Sequence, residues 1–141
     1  LAAAGGRFFT LLANDLPGGR GFGEPITLMV DLPAGEEVVA AFPAKPGCRL
    51  LLAASDGRGF LADATELLAE TRKGRQVVNL KEGKPGERAM LAIVRAVAGA
   101  HDHVAVIGDN RKLLVFPLDT LPLMARGQGV ALQKYRDGGL S

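Results

Sequence analysis

The apolar residues of this chain come in short runs separated by glycine- or proline-containing turns, and one such unit is repeated along it. Leu50-Leu51-Leu52-Ala53 leads into Ser55-Asp56-Gly57-Arg58 and then into Gly59-Phe60-Leu61-Ala62. Two apolar runs joined by four turn-forming residues predict a β-hairpin, because glycine enters positive φ without a Cβ clash. Asp109-Asn110-Arg111 stands 53 residues after Asp56-Gly57-Arg58, and Arg126-Gly127 stands 53 after Lys73-Gly74. Upstream, Arg20-Gly21 lies 53 before Lys73-Gly74, Val38-Val39 lies 53 before Leu91-Ala92, and Gly6-Arg7 matches Gly57-Arg58 with a slip of two. A fixed period near 50 residues built from short strands marks propeller-like blades, each too small to bury its own faces. The chain therefore reads as a single all-β domain of about three four-stranded blades, at residues 1–47, 48–100 and 101–141.

Within that frame the first blade has strands at 1–4, 8–12, 26–30 and 38–42, the first of them only the end of an opening strand. The second has strands at 49–54, 59–62, 76–80 and 88–94, with a short helical turn between residues 63 and 70, where Asp and Thr can start one. The third has strands at 103–107, 113–116 and 130–135. Residues 87–100 are ambiguous, since Glu-Arg-Ala-Met-Leu-Ala-Ile-Val-Arg-Ala-Val-Ala has good helix formers throughout. Their repeat partner settles the assignment. Val38-Val39-Ala40-Ala41-Phe42 begins with two β-branched residues and is stopped by Pro43, so both segments are assigned as strands.

Composition changes this picture little. Hydrophobic content of 48% and charged content of 23% are ordinary for a globular chain, and 19 Gly with eight Pro favour a turn-rich β fold over a helical one. The single Cys48 cannot form an internal disulfide, which fits a reducing compartment. No apolar run approaches the roughly 20 residues of a membrane-spanning helix, and Leu1 is not followed by a basic-then-apolar leader. These features read as a fragment of a cytosolic protein. Net charge is only +2, but its distribution is uneven: residues 48–100 hold nine Lys/Arg against six Asp/Glu, whereas residues 1–47 hold three against five.

The motifs Asp56-Gly57-Arg58-Gly59-Phe60, Leu16-Pro17-Gly18-Gly19-Arg20-Gly21-Phe22-Gly23-Glu24-Pro25 and Arg126-Gly127-Gln128-Gly129-Val130 resemble the repeats in the C-terminal domain of the A subunit of bacterial DNA topoisomerase IV. The resemblance covers nearly the whole chain. It implies a β-pinwheel, a propeller-like disc with strands exchanged between neighbouring blades, here an open arc or partial disc. It also implies an accessory domain that grips and bends duplex DNA on its rim and presents segments to a cleavage core elsewhere, for decatenation and relaxation. The parent implied is an ATP-dependent type IIA topoisomerase, a cytoplasmic, nucleoid-associated heterotetramer with the B subunit of topoisomerase IV. ATP and Mg²⁺ serve that holoenzyme, while this domain needs no cofactor, contains no catalytic residue and meets no membrane. The related gyrase domain carries a Gln-Arg-Arg-Gly-Gly-Lys-Gly box for wrapping; Thr71-Arg72-Lys73-Gly74-Arg75 is the nearest approach and departs at most places, which favours topoisomerase IV over gyrase.

Repetition gives the cations an order that the resemblance turns into an interface. Arg7, Arg58 and Arg111 fall at one turn of successive blades, and Arg20, Lys73 and Arg126 at another, with Arg72, Arg75, Lys112, Lys134 and Arg136 beside them. Rows of Lys and Arg with few interleaved aromatics suit phosphate contacts rather than base stacking or readout. Taken on the pattern alone, the same residues read sooner as solvated turn charges that keep sheet edges soluble, an order the resemblance reverses, and a propeller scaffold for protein partners stays open. His101-Asp102-His103 has no third metal ligand nearby. Tyr135 follows Lys134 rather than the arginine that precedes a topoisomerase's catalytic tyrosine, so it reads as structural.

Overall fold

The computed structural model describes residues 1–82, 88–99 and 103–134. Among these residues ten strands are arranged in three antiparallel sheets: β1 (Ala2–Ala3), β2 (Arg7–Phe8), β3 (Val38–Ala40), β4 (Arg49–Ala54), β5 (Arg58–Asp63), β6 (Arg75–Gln76), β7 (Leu91–Val97), β8 (His103–Ile107), β9 (Leu113–Pro117) and β10 (Val130–Ala131). The first sheet has the order β3-β1-β2-β6 and the second β7-β4-β5-β10, while β8 and β9 pair alone. Each of the first two sheets thus takes its last strand from the segment that follows the next hairpin. The all-β expectation holds, and the sheets are open.

The residues explain why the hairpins form. In β4 and β5, Leu50, Leu52, Phe60 and Ala62 point to one face and Ala53 and Leu61 to the other, and all six are buried. A strand buried on both faces reads as a nearly unbroken apolar run. One face packs on Ala2, Phe8 and Leu91 together with Val77 and Val78, which follow β6. The other packs on Val104 and Val106 of β8 with Leu118, Leu121 and Leu132. A third cluster, Ala3, Phe9 and Val30 with Leu1, Leu11, Ile26 and Met29, covers the outer face of the first sheet. The sheets therefore stack in chain order, and each interface includes the apolar residue just beyond a donated strand.

Residues 91–97 form a strand rather than a helix, three residues later than the expected 88–94, paired with β4 from Arg49↔Val97 to Ala53↔Ile93. The helical turn after β5 is a 3-10 turn at Ala64–Leu67, begun by Asp63, whose carboxylate accepts from Thr65 N at 2.9 Å. Three expectations change. Residues 26–30 do not form a strand: Ile26–Leu28 is a 3-10 turn, because Pro25 lacks an N–H, no neighbouring strand pairs here, and Ile26, Met29 and Val30 instead fold onto Ala3 and Phe9. The strand expected over 8–12 is shorter: β2 covers Arg7–Phe8, after which Phe9 exchanges backbone hydrogen bonds with Leu1 and packs with Ala3 and Val30. Of the strands expected at 76–80 and 130–135, the described residues show just Arg75–Gln76 and Val130–Ala131; these pair with β2 and β5 of the preceding hairpins, the exchange between neighbours that the resemblance implied. Tyr135 lies outside the described residues.

Candidate nucleic-acid interface

The three hairpin turns share one construction. Gly6 N donates to Ala3 O, Gly57 N to Ala54 O and Arg111 N to Gly108 O, and the three donors have φ of +79°, +81° and +60°. Just after them, the Asp56 carboxylate accepts from Arg58 N and the Asn110 side-chain oxygen from Lys112 N, both at 3.1 Å. These are Asx turns, in which a short polar side chain closes the loop on its own backbone. The equivalent residues are therefore Arg7, Arg58 and Lys112, whereas Arg111 occupies the glycine position. The expected row of Arg7, Arg58 and Arg111 is corrected by one residue at its end, because the third turn replaces Asp-Gly with Asn-Arg. Arg111 is exposed, the one non-glycine among the described residues at positive φ.

The second row shifts as well. Gly74 and Gly129 have φ of +72° and +71° and press on equivalent backbone: a Cβ at Gly74 would stand 2.6 Å from Phe8 O, and one at Gly129 would run into Gly59 O. That equivalence spaces the donated strands 55 residues apart, not 53. Arg126-Gly127-Gln128-Gly129 then matches Arg20-Gly21-Phe22-Gly23, and Lys73 sits two residues further along than Arg126. Arg20, Lys73, Arg126 and Lys134 are all exposed.

Several of the expected cations hold the fold. Arg7 Nη1 donates to Lys73 O at 2.9 Å and Arg58 Nη1 to Gly129 O at 3.3 Å, so each half-buried guanidinium clamps the strand donated to its own sheet. Arg72 Nη2 donates to Leu28 O at 2.7 Å and its Nε lies 3.7 Å from the Asp31 carboxylate. Arg75 Nη1 donates to Glu66 O at 2.7 Å. A guanidinium has five N–H groups, so one carbonyl leaves most of its donors for solvent or a polyanion. Arg136 lies outside the described residues, as do His101 and Asp102; His103 is exposed on β8. Among the described residues no group of three or more His, Cys, Asp and Glu is placed to hold a metal ion.

What the side chains have in common is an edge. Arg7 and Arg58 pair across from β6 and β10, Arg75 is in β6, Lys73 and Arg126 lead into those strands, and Lys112 has the equivalent place on β9. The opposite edge of the first sheet is β3, preceded by Glu36 and Glu37; Glu36 accepts from Gly5 N. Sequence reasoning missed the exposed Arg49, Arg88 and Arg95, which belong to no repeated turn and carry no periodic signal. Among the described residues one side-chain carboxyl is shifted, and its cause is structural: hydrogen bonds from the Thr65 hydroxyl and then its backbone N–H hold Asp63 below the usual carboxylate range.

Known proteins resemble this chain in sequence and in fold. A family model described as "DNA gyrase C-terminal domain, beta-propeller" matches residues 1–45, 49–87 and 102–140. The A subunit of DNA topoisomerase 4 from Caulobacter vibrioides is 45% identical over 96% of the chain, and that from Rickettsia conorii 39% over 99%. The chain spans 17% and 18% of those relatives' lengths. The structure titled "Structure of the E. coli ParC C-terminal domain" superposes with a TM-score of 0.89 at 26% identity, covering 99% of this chain and 58% of that one. A second, titled "Crystal structure of the C-terminal domain of DNA topoisomerase IV", shares the fold with a TM-score of 0.82 at 16% identity, over 99% and 43%. The repeated hairpins, the strands passed back to them and these matches together place the chain in the DNA gyrase C-terminal domain β-propeller family, among the C-terminal domains of topoisomerase IV A subunits.

Proposed function

We propose that this domain binds duplex DNA along the donated-strand edges of its stacked sheets. The observation that carries the reading is the repeated cation: Arg7, Arg58 and Lys112 stand at one equivalent turn position, with exposed Lys73 and Arg126 leading into the donated strands β6 and β10 and exposed Lys134 following β10. Stacking sheets in chain order turns equivalent positions into a line, and a line of Lys and Arg without interleaved aromatics matches a phosphate backbone rather than base edges. Binding is then tolerant of sequence. Bending a duplex over several sheets costs on the order of several kcal/mol, so many weak contacts must act together.

In the parent protein this domain would present bound segments to the cleavage core of a type IIA topoisomerase. That enzyme would work with its B subunit, in a heterotetramer, in the cytoplasm and at the nucleoid. ATP and Mg²⁺ chemistry would belong to other domains. Among the described residues no helix is long and apolar enough to cross a membrane. The absence of the gyrase heptapeptide supports segment presentation over chiral wrapping. The test is duplex affinity as a function of salt: a steep negative slope of log affinity on log salt is expected, and affinity indifferent to salt refutes the reading.

A further inference from the structure

Arg7 and Arg58 meet the strands passed to their sheets in one register. Arg7 lies opposite Gln76 in the β2–β6 pair and Arg58 opposite Ala131 in the β5–β10 pair, so each faces the second residue of the incoming strand. Each side chain then grips the backbone just ahead of that strand, Arg7 Nη1 donating to Lys73 O at 2.9 Å and Arg58 Nη1 to Gly129 O at 3.3 Å. Both contacts are complete within the two exchanged pairs.

A guanidinium is planar, and its Nε and Nη2 form an edge that takes two oxygens of a phosphate side by side. In Arg7 and Arg58 that edge is unused: Nη1 alone is bonded, and neither residue has a further partner among the described residues. Nor is the edge sealed inside. Among the described residues no buried side-chain nitrogen or oxygen lacks a hydrogen bond, so solvent reaches the unpaired atoms of both half-buried arginines. Arg72 shows the other arrangement, with Nη2 on Leu28 O at 2.7 Å and Nε 3.7 Å from Asp31, so its edge is spent on the fold. The carbonyls of Lys73 and Gly129 thus orient two guanidinium groups whose two-toothed edge stays open.

We propose that Arg7 and Arg58 each bridge a donated strand and a phosphate of the duplex backbone, so that DNA binding and strand exchange hold each other in place. This rests on the DNA-binding reading above and adds a coupling to it. A docked strand holds the guanidinium ready, which lowers the ordering cost when phosphate arrives. Linkage makes the effect mutual: whatever the docked strand adds to phosphate affinity, bound phosphate adds to strand docking. A lysine at the same place carries the charge without the link, because an ammonium is a point charge with no fixed edge.

The test is amide hydrogen exchange of the 141-residue chain, free and saturated with a mixed-sequence duplex, followed residue by residue by NMR. Val77 N donates to Gly6 O and Leu132 N to Gly57 O, at 3.0 and 2.9 Å, so these two amides report the docking of β6 and β10. Duplex should slow their exchange by about fivefold or more. Leu121, whose N–H closes a local turn on Leu118 O, should change little. The Arg7→Lys/Arg58→Lys double variant keeps both charges and loses both edges. Its salt slope should match wild type, while duplex affinity falls by about fivefold or more and the added protection disappears. Arg49→Lys, the same exchange at a cation outside the repeated turns, should alter neither readout. Wild type that binds duplex with a steep salt slope but gains no extra protection at Val77 and Leu132 overturns the coupling and leaves the DNA-binding reading standing. A folded double variant that binds as tightly as wild type does the same, and wild type that ignores duplex overturns both. The exchange measurement uses unaltered protein, so it decides the matter even where the double variant fails to fold.

Discussion

The β4–β5 and β8–β9 hairpins have the same construction and different fates. Each has five paired positions, Arg49↔Asp63 to Ala53↔Gly59 in one and His103↔Pro117 to Ile107↔Leu113 in the other, closed by the same kind of Asx turn. In the first, both faces are buried and both edges are paired; in the second, among the described residues, the outward face is exposed and β9 pairs only with β8. Val115 is as apolar as its counterpart Leu61, yet half of it is exposed while Leu61 is buried. Burial in a stack of small sheets is thus a property of neighbours, and the hairpin sequence alone does not decide it.

The largest effect expected from this contrast is on stability. Phe60→Ala, at a fully buried position between the first two sheets, should cost about 3–5 kcal/mol in denaturant unfolding, whereas Leu113→Ala should cost under about 1 kcal/mol. Similar losses at both sites would mean that β9 is covered in solution. Next comes the donated strand itself. Gly129→Ala should cost roughly 2–3 kcal/mol, since the methyl meets Gly59 O and the residue must hold positive φ.

A smaller effect tests the register of the third turn. Arg111→Gly relieves an L-residue held at φ of +60°, and should raise stability by about 0.5 kcal/mol in a thermal melt, while Gly57→Arg should lower it by about 1 kcal/mol or more. A loss for Arg111→Gly would show that the side chain itself holds the turn. The smallest effect is a pH dependence. The Thr65 hydrogen bonds lower the folded-state pKa of Asp63, so their contribution is present above the unfolded pKa and is lost as pH falls through the lower, folded one. Asp63→Asn, which keeps an acceptor and cannot titrate, should give a flatter stability profile in that acid window; identical profiles would deny the capping carboxylate any role.

The hairpins were legible in the sequence because they are local: short apolar runs at 49–54 and 103–107 are closed by turn residues whose own side chains and φ values make the bend. The strand at 91–97 was legible only through its repeat partner, since its residues alone suit a helix. What stayed hidden depends on distant backbone. Nothing local says that Arg75–Gln76 leaves its own hairpin for β2, or that residues 26–30, lacking a partner strand, fold as a 3-10 turn onto Phe9. A fixed spacing of 53 also concealed a one-residue shift at Arg111 and a two-residue shift at Gly129, because turns absorb insertions that strands cannot. The cations of the candidate interface were visible as residues, but the duty of Arg7 and Arg58 in clamping carbonyls was not.

The central claim is that one edge of the stacked sheets, and not positive charge in general, meets DNA. Lys73, Arg126 and Lys134 changed together to Ala should lower the slope of log affinity on log salt by up to about 0.9 for each phosphate left unneutralised. Arg49, Arg88 and Arg95, three equally exposed cations outside the repeated turns, should leave that slope unchanged when replaced in the same way. Equal reductions in the two triple variants, or none in the first, would contradict the account.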